Sequence, residues 1–236
     1  MRYSQKIVLV TGARRGVGRM LAEYFLKEGA HVIGFSRHAD NEWQAAHYTP
    51  LEVDVGDAES VARGFALVRK QFGKVDIVIN NAAVLTSQYS MIMPPAAVKA
   101  MLDANIFGTF MVSREAAKLM RASKWGRIIN IGSMAASLEP IGDSVYAATK
   151  AAVSTLANVM AKEFASLNIT CNTLGITGIE TDMLSQLPRV KIDAVIAGLT
   201  LPRYATPDDI FNIIDFFASE RSACITAQTV FLGGVN

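Results

Sequence analysis

The chain has 236 residues, of which 51% are hydrophobic and 19% charged, with a formal net charge of +2. That length and balance fit one well-buried domain, or two small ones at most, and exclude a disordered chain. The near-neutral charge offers nothing to nucleic acid or an anionic membrane surface. Cys171 and Cys224, with no CxxC pair, cannot build a disulfide framework, so a soluble protein of a reducing, cytoplasmic compartment is expected.

In chain order, Ile7 to Val10 is a continuous apolar run, the pattern of a strand buried on both faces and too short to span a membrane. It breaks into the glycine-rich stretch Thr11–Gly18 and a helical segment from Arg19 to Lys27, stopped by Gly29. Further strands are predicted over His31–Phe35, Tyr48–Val55, Val75–Asn80, Arg127–Ile131, Ile169–Leu174 and Gln228–Leu232. Helices are predicted over Glu59–Phe72, Asp103–Arg121, Tyr146–Ser166 and Asp208–Ser219, with Pro94–Pro95 marking a loop. Residues 178–206 lack a strong period. Strands alternating with helices of this length mean right-handed crossovers and a parallel sheet covered on both sides. The expected fold is therefore α/β: a three-layer Rossmann fold, a doubly wound seven-stranded parallel sheet in one domain spanning residues 1–236.

Gly12, Gly16 and Gly18 stand where the first strand turns into the first helix. Glycines there let the backbone approach a pyrophosphate, whose charge is met by the free N–H groups and dipole of the helix N-terminus. The spacing is G-x-x-x-G-x-G, not the general dinucleotide G-x-G-x-x-G. At the end of the second strand a carboxylate would bind the ribose hydroxyls of NAD(H). This chain carries Ser36 there, followed by Arg37, and Arg15 points a second cation toward the same region. Forked guanidinium donors suit a 2′-phosphate, so NADP(H) is expected over NAD(H); solvated surface arginines are the alternative.

Tyr146 and Lys150 lie four apart, which on a helix places both side chains on one face. An ammonium near a phenol favours the ionised form, so the phenol would exchange a proton closer to neutral pH. Ser133 ends the fifth strand, thirteen residues before the tyrosine. Reduction of a ketone builds negative charge on the carbonyl oxygen, and Ser133 and Tyr146 would supply the two hydrogen-bond donors for it. His31, His38 and His47 show no ligand spacing, and no metal is expected.

Together, in this order and at these intervals, the motifs resemble those of the single-domain short-chain dehydrogenases/reductases over essentially the whole chain. The resemblance implies a catalytic tetrad of Asn105, Ser133, Tyr146 and Lys150, with Lys150 holding the nicotinamide ribose and Asn105 supporting a proton-relay water. It implies a cofactor site of Thr11, Gly12, Arg14, Arg15, Gly16, Val17 and Gly18 in the loop, and Ser36 and Arg37 after the second strand. Asp54 and Val55 would lie at the adenine, and Asn81, Ala82 and Ala83 would follow the fourth strand. Tyr146, Lys150, Ile179 and Thr181 would complete the nicotinamide end. Within the family, the chain most resembles bacterial 3-oxoacyl-[acyl-carrier-protein] reductases, which implies an NADPH-dependent reductase of a 3-oxoacyl thioester or similar ketone. Oxidation of a cyclic, polyketide or sugar-derived secondary alcohol, and a non-catalytic NADP(H)-binding module, are the alternatives. The implied partners are a small carbonyl or alcohol substrate, free or linked to a carrier protein or coenzyme A, and further copies of the chain in a homotetramer or dimer.

Departures from the family pattern fall near the pocket. Ala83 replaces the last glycine of Asn-Asn-Ala-Gly, which would cost about 1 kcal/mol if a positive φ is needed there. Ile176-Thr177 replaces Pro-Gly after the sixth strand, so a differently shaped pocket wall is expected. A basic docking rim for an acidic carrier is half present, with Lys124 before the fifth strand but Leu167 before the sixth. Residues 183–204 are expected to form a substrate lid, carrying apolar Met183, Leu184, Leu187, Val190, Ile192, Val195, Ile196, Leu199 and Leu201 against Arg189, Lys191 and Asp193. A packed helix or an oligomer contact is the other possibility for that stretch.

Overall fold

In a computed structural model of the chain, residues 1–38, 43–179 and 189–235 are described. Seven strands form one sheet in the order β3-β2-β1-β4-β5-β6-β7, and every pairing is parallel. They are β1 (Ile7–Thr11), β2 (His31–Ser36), β3 (Tyr48–Glu52), β4 (Ile77–Asn80), β5 (Gly126–Ser133), β6 (Ile169–Ile176) and β7 (Thr229–Phe231). The order reverses between β1 and β4, which opens a crevice at the carboxyl ends of those strands. The predicted doubly wound sheet is the observed one.

Helices close both faces. α1 (Gly16–Lys27) and α8 (Pro207–Ala218) cover one side, where Leu21, Phe25, Ile214 and Phe217 meet Val8, Val10, Ile77 and Ile129. α2 (Ala58–Phe72), α4 (Thr109–Met120) and α6 (Ser144–Phe164) cover the other, where Phe65, Val112 and Ala157 meet Leu9, Val78 and Ile128. Consecutive residues of β1 thus point into opposite cores, which is why its sequence is apolar at every position rather than alternating.

The helix predicted over Asp103–Arg121 is built differently. It begins as α3 (Pro95–Met101), with the proline in the first turn where its missing N–H costs nothing, so Pro94–Pro95 opens a helix rather than a loop. It then widens to π geometry over Leu102–Gly108 before resuming as α4. The Thr109 hydroxyl bonds the Asn105 carbonyl at 2.8 Å, a side chain working into the backbone ladder at the widened turn. One short element, α5 (Ala135–Leu138), has no counterpart in the sequence reading, and α7 (Arg189–Ala197) is the packed helix held open for the stretch without a clear period. Among the described residues no helix is long and apolar enough to cross a membrane.

Candidate active site

The glycine loop is shaped by contact as well as by torsion. Gly12 and Gly16 have φ of +67° and +57°. A Cβ on Gly18 would stand 2.2 Å from the Gly12 carbonyl oxygen and 2.5 Å from the Asn81 amide nitrogen, so only glycine fits. Thr11 and Asn81 clip the ends of β1 and β4 together. The Thr11 hydroxyl accepts from the backbone N–H groups of Asn81 and Ala82, both at 2.9 Å, and the Asn81 side chain donates to the Thr11 carbonyl at 2.9 Å. No side chain caps α1: Arg15 occupies the cap position in extended backbone without a capping bond. The first-turn N–H groups therefore stay available to an anion.

A cavity of about 920 Å³ runs from this loop along the carboxyl ends of the strands. At its outer end stand Arg14, Arg15, Ser36 and Arg37, then Asp54 and Val55, then Asn81, Ala82 and Ala83; at its inner end stand Ser133, Tyr146, Lys150 and Ile179. Thr11, Gly18 and Asn105 do not line it and act from behind; Thr181 lies outside the described residues. Arg14, Arg15 and Arg37 are exposed, with no acidic partner among the described residues, and the buried Ser36 hydroxyl has no hydrogen-bond partner. A glycine cradle, an uncapped helix and exposed guanidinium groups lining one cavity fit a nicotinamide dinucleotide. Asp54 is held by the Gly56 N–H, 2.9 Å from its Oδ1.

At the inner end, Tyr146 and Lys150 are both buried on one face of α6. Lys150 Nζ lies 5.8 Å from the centre of the Tyr146 ring and donates to the Ile131 carbonyl at 2.7 Å. Burial pushes the phenol up to about 12 and the Nearby Asp143 adds to the rise, while a hydrogen bond with Ser133 draws it down. Burial also lowers Lys150 to about 8. The expected lowering of the phenol by Lys150 is thus not the governing effect. Desolvation outweighs it, because neither group is in water.

Asn105 sits behind this pair in the π turn, 1% exposed. Its Oδ1 accepts from the Val84 N–H at 2.8 Å, and Nδ2 donates to the Val84 carbonyl and to Thr149 Oγ1, each at 3.0 Å. Thr149 in turn donates to the Tyr146 carbonyl at 2.7 Å. Both side-chain donors are therefore spent on protein, tying the loop after β4 to the tyrosine's helix. The wide turn that presents Asn105 has no periodicity signal, and Thr149, between the tyrosine and the lysine, carries none either, because threonine is ordinary on a helix.

Other lining residues had no sequence signal at all: His38, Leu85, Leu138 and Asp143. They become neighbours only through the topology. Ala83 does not have a positive φ, so the condition under which the alanine would cost stability there is not met. Ile176, Thr177 and Gly178 line the cavity as the altered wall, and Ile192 and Val195 of α7 line it too. Ile196 and Leu199 are buried against Val235, with Met134 and Tyr204 beside them. Met183, Leu184 and Leu187 lie outside the described residues, and nothing is said of the Lys191 side chain. Lys124 and Leu167 precede β5 and β6, and so lie at the amino edge of the sheet, opposite the cavity; Leu167 packs on the core. Within one protomer they make no rim at the entrance.

Comparison with known proteins agrees with this geometry. The model of the short chain dehydrogenase family matches residues 6–191. The chain belongs to the short chain dehydrogenase family. The 3-oxoacyl-[acyl-carrier-protein] reductase FabG of Escherichia coli is 33% identical over 239 residues, covering 99% of this chain and 98% of that protein. Its counterpart in Vibrio cholerae is 32% identical over the same length and coverage. Among solved structures, the aldohexose dehydrogenase of Thermoplasma acidophilum superposes with a TM-score of 0.88 at 27% identity, over 98% of this chain and 94% of that one. A 4-hydroxyisoleucine dehydrogenase complexed with NADH gives 0.86 at 27%, over 98% and 97%. This short chain dehydrogenase is an oxidoreductase acting on alcohol or ketone groups with a nicotinamide cofactor, and its fold is that of its relatives.

Proposed function

We propose that the protein is an NADPH-dependent reductase that converts a ketone to a secondary alcohol, and runs the reverse oxidation when alcohol and oxidised cofactor are supplied. One observation carries this: the buried phenol of Tyr146, with Lys150 beside it, lines together with Ser133 the cavity that begins at the glycine loop. Thr11, Gly12, Arg14, Arg15, Gly16, Val17 and Gly18 would form the pyrophosphate end of the cofactor site. Ser36, Arg37, Asp54 and Val55 would take the adenosine end, and Asn81, Ala82, Ala83, Ile179 and Thr181 the nicotinamide end. When bound, the cofactor supplies the hydride. Arg15 and Arg37 beside the orphaned Ser36 hydroxyl support the 2′-phosphate and hence NADP(H) over NAD(H).

The chain's own residues do the rest. A phenol raised to about 12 is protonated throughout the neutral range, so Tyr146 has a proton to give the substrate oxygen as general acid. Ser133 donates a second hydrogen bond to the same oxygen, where negative charge develops. Lys150 is charged below about pH 8 and holds the ribose end of the cofactor site. Asn105 positions the Tyr146 helix through Thr149, rather than offering its amide donors to a relay water.

The relatives support a 3-oxoacyl thioester as substrate, free or on a carrier protein. A non-acyl polar alcohol is the second reading, favoured by the charge of Asp143 at the inner end of the cavity and taken up below. Of the expected lid, 183–188 lie outside the described residues; the part from α7 onward would cover the substrate, since Ile192 and Val195 line the cavity. Exposed Phe107, Phe110 and Val159 on the π turn, α4 and α6 support a homodimer or tetramer through these helices; a monomer in light scattering would contradict it. A cytoplasmic setting is consistent with two free thiols, Cys171 and Cys224. A spectrophotometric screen of ketones, alcohols and acyl thioesters with both cofactors tests the function. Turnover with NADPH and loss of it in Tyr146→Phe are expected; cofactor binding without any turnover would point to a non-catalytic binding module instead.

A further inference from the structure

One carboxylate in the cavity has no use in the chemistry above. Asp143 is only 6% exposed and lines the cavity together with Leu85, Met134, Leu138 and Tyr146. It occupies the cap position of α6, where aspartate normally turns its side chain back onto the free N–H groups of the first turn. Here it does not: its φ and ψ of −112° and 24° are not those of a capping residue, and no side-chain cap bond forms. The backbone carbonyl of Asp143 takes the Ala147 N–H at 2.7 Å, which starts the helix without help from the side chain. Its Oδ1 is buried with no hydrogen-bond partner.

Buried carboxylates are paired or hydrogen-bonded almost without exception, because leaving one bare in a poorly solvated site is costly. An ionised carboxylate is an acceptor only, so the missing partner is a donor. The position of that donor is narrowly set. Asp143 precedes Tyr146 by three residues on the same turn, and its charge acts on the phenol. A substrate whose reacting oxygen lies on Tyr146 would then turn a substituent of the neighbouring carbon toward Asp143, which lines the same cavity. The other side chains there, Leu85, Met134 and Leu138, offer that substituent no polar group.

We propose that Asp143 is a substrate-binding carboxylate that accepts a hydrogen bond from a hydroxyl or ammonium group on the carbon next to the reacting one. The substrate class is then a vicinal diol or amino alcohol, or the matching α-hydroxy or α-amino ketone, rather than an unsubstituted acyl chain. A substrate with a carboxylate at that carbon is rejected by like charge. This assignment rests on the oxidoreductase reading of the site and names its substrate class.

The test compares three alcohols of one shape: cyclohexanol, trans-1,2-cyclohexanediol and trans-2-aminocyclohexanol, oxidised with NADP⁺ by the wild type, Asp143→Asn and Asp143→Leu. The wild type should prefer the diol or the amino alcohol to cyclohexanol by roughly tenfold or more in kcat/KM, and which of the two wins tells hydroxyl from ammonium recognition. In Asp143→Leu that ratio should fall to about one; in Asp143→Asn, which keeps the shape and so the fold, the amino alcohol should lose its advantage entirely. A wild type without preference, or variants that slow all three alcohols equally, would overturn the assignment and leave Asp143 as a group that only tunes Tyr146. Binding of the same alcohols to the complex with NADP⁺, read by saturation-transfer NMR, separates the two claims. If neither these alcohols nor any thioester reacts with either cofactor, the oxidoreductase reading fails. Selective binding of the diol or amino alcohol that Asp143→Leu abolishes would still support the carboxylate's role, and equal or absent binding would refute it.

Discussion

The two ends of the cavity are built on different principles. The phosphate end is backbone: Gly12 and Gly16 hold positive φ, a side chain on Gly18 would collide, and Thr11 and Asn81 lock two strand ends with bonds to main-chain atoms. The substrate end is side chain: Tyr146, Ser133, Asp143 and the wall of Ile176 and Thr177 arrive from three separate segments of the chain. Backbone shape tolerates one residue type at each position, whereas an apolar wall tolerates many. The first end therefore fixes what the whole family binds, and the second is free to change what each member acts on.

That contrast can be broken or sharpened by mutation. The largest effect is expected from Gly18→Val, whose added carbons cannot avoid the Gly12 carbonyl. Affinity for NADPH should fall at least about 100-fold, with the melting temperature reduced as the loop is overpacked; fluorescence titration and calorimetry measure both, and an unaltered affinity would show that the loop does not hold the cofactor. Next comes charge at the outer end. Arg37→Glu should cost about tenfold or more in NADPH affinity and leave NADH within about threefold, because it removes a phosphate partner only the former needs. Equal losses for the two cofactors would remove the basis for NADP(H) preference.

A smaller effect concerns pH. Lys150, lowered to about 8 by burial, is charged below that pH and neutral above it. Reduction should hold a plateau on the acid side of about pH 8 and decline above it as the ammonium is lost, while Tyr146 stays protonated throughout. Lys150→Arg should be slower yet lose this inflection, since a guanidinium keeps its charge. An inflection that persists in the variant would assign it to another group. The smallest effect tests a backbone position directly. Ala83 does not need a positive φ, so Ala83→Gly should destabilise by about 0.5–1 kcal/mol through the freer unfolded chain, measured by denaturant unfolding.

What was legible in the sequence follows the same division. The sheet could be read because strands buried on both faces, such as Ile7–Val10, carry apolar residues at every position, and the crossover helices alternate with them. The cofactor loop could be read because its glycines follow directly on the first buried strand, at the turn into the first helix. The π turn could not, since it is made by a Thr109 hydroxyl reaching one carbonyl and by Asn105 bonding a loop twenty-one residues earlier in the chain. Asp143 carries no signal in the sequence, and only its buried, unpartnered oxygen sets it apart. The ionisation of Tyr146 was misjudged for a related reason: spacing reveals the lysine beside it but says nothing about how little water reaches either group.

The most direct test is the absorbance of NADPH at its nicotinamide band during incubation with a panel of ketones, comparing the wild type with Tyr146→Phe. The account predicts that the wild type consumes NADPH with at least one ketone, and that the variant binds NADPH with unchanged affinity while its turnover falls by about 1,000-fold or more, as expected when the proton donor to a developing oxyanion is removed. A variant that turns over at the wild-type rate would contradict the assignment of Tyr146 as the acid.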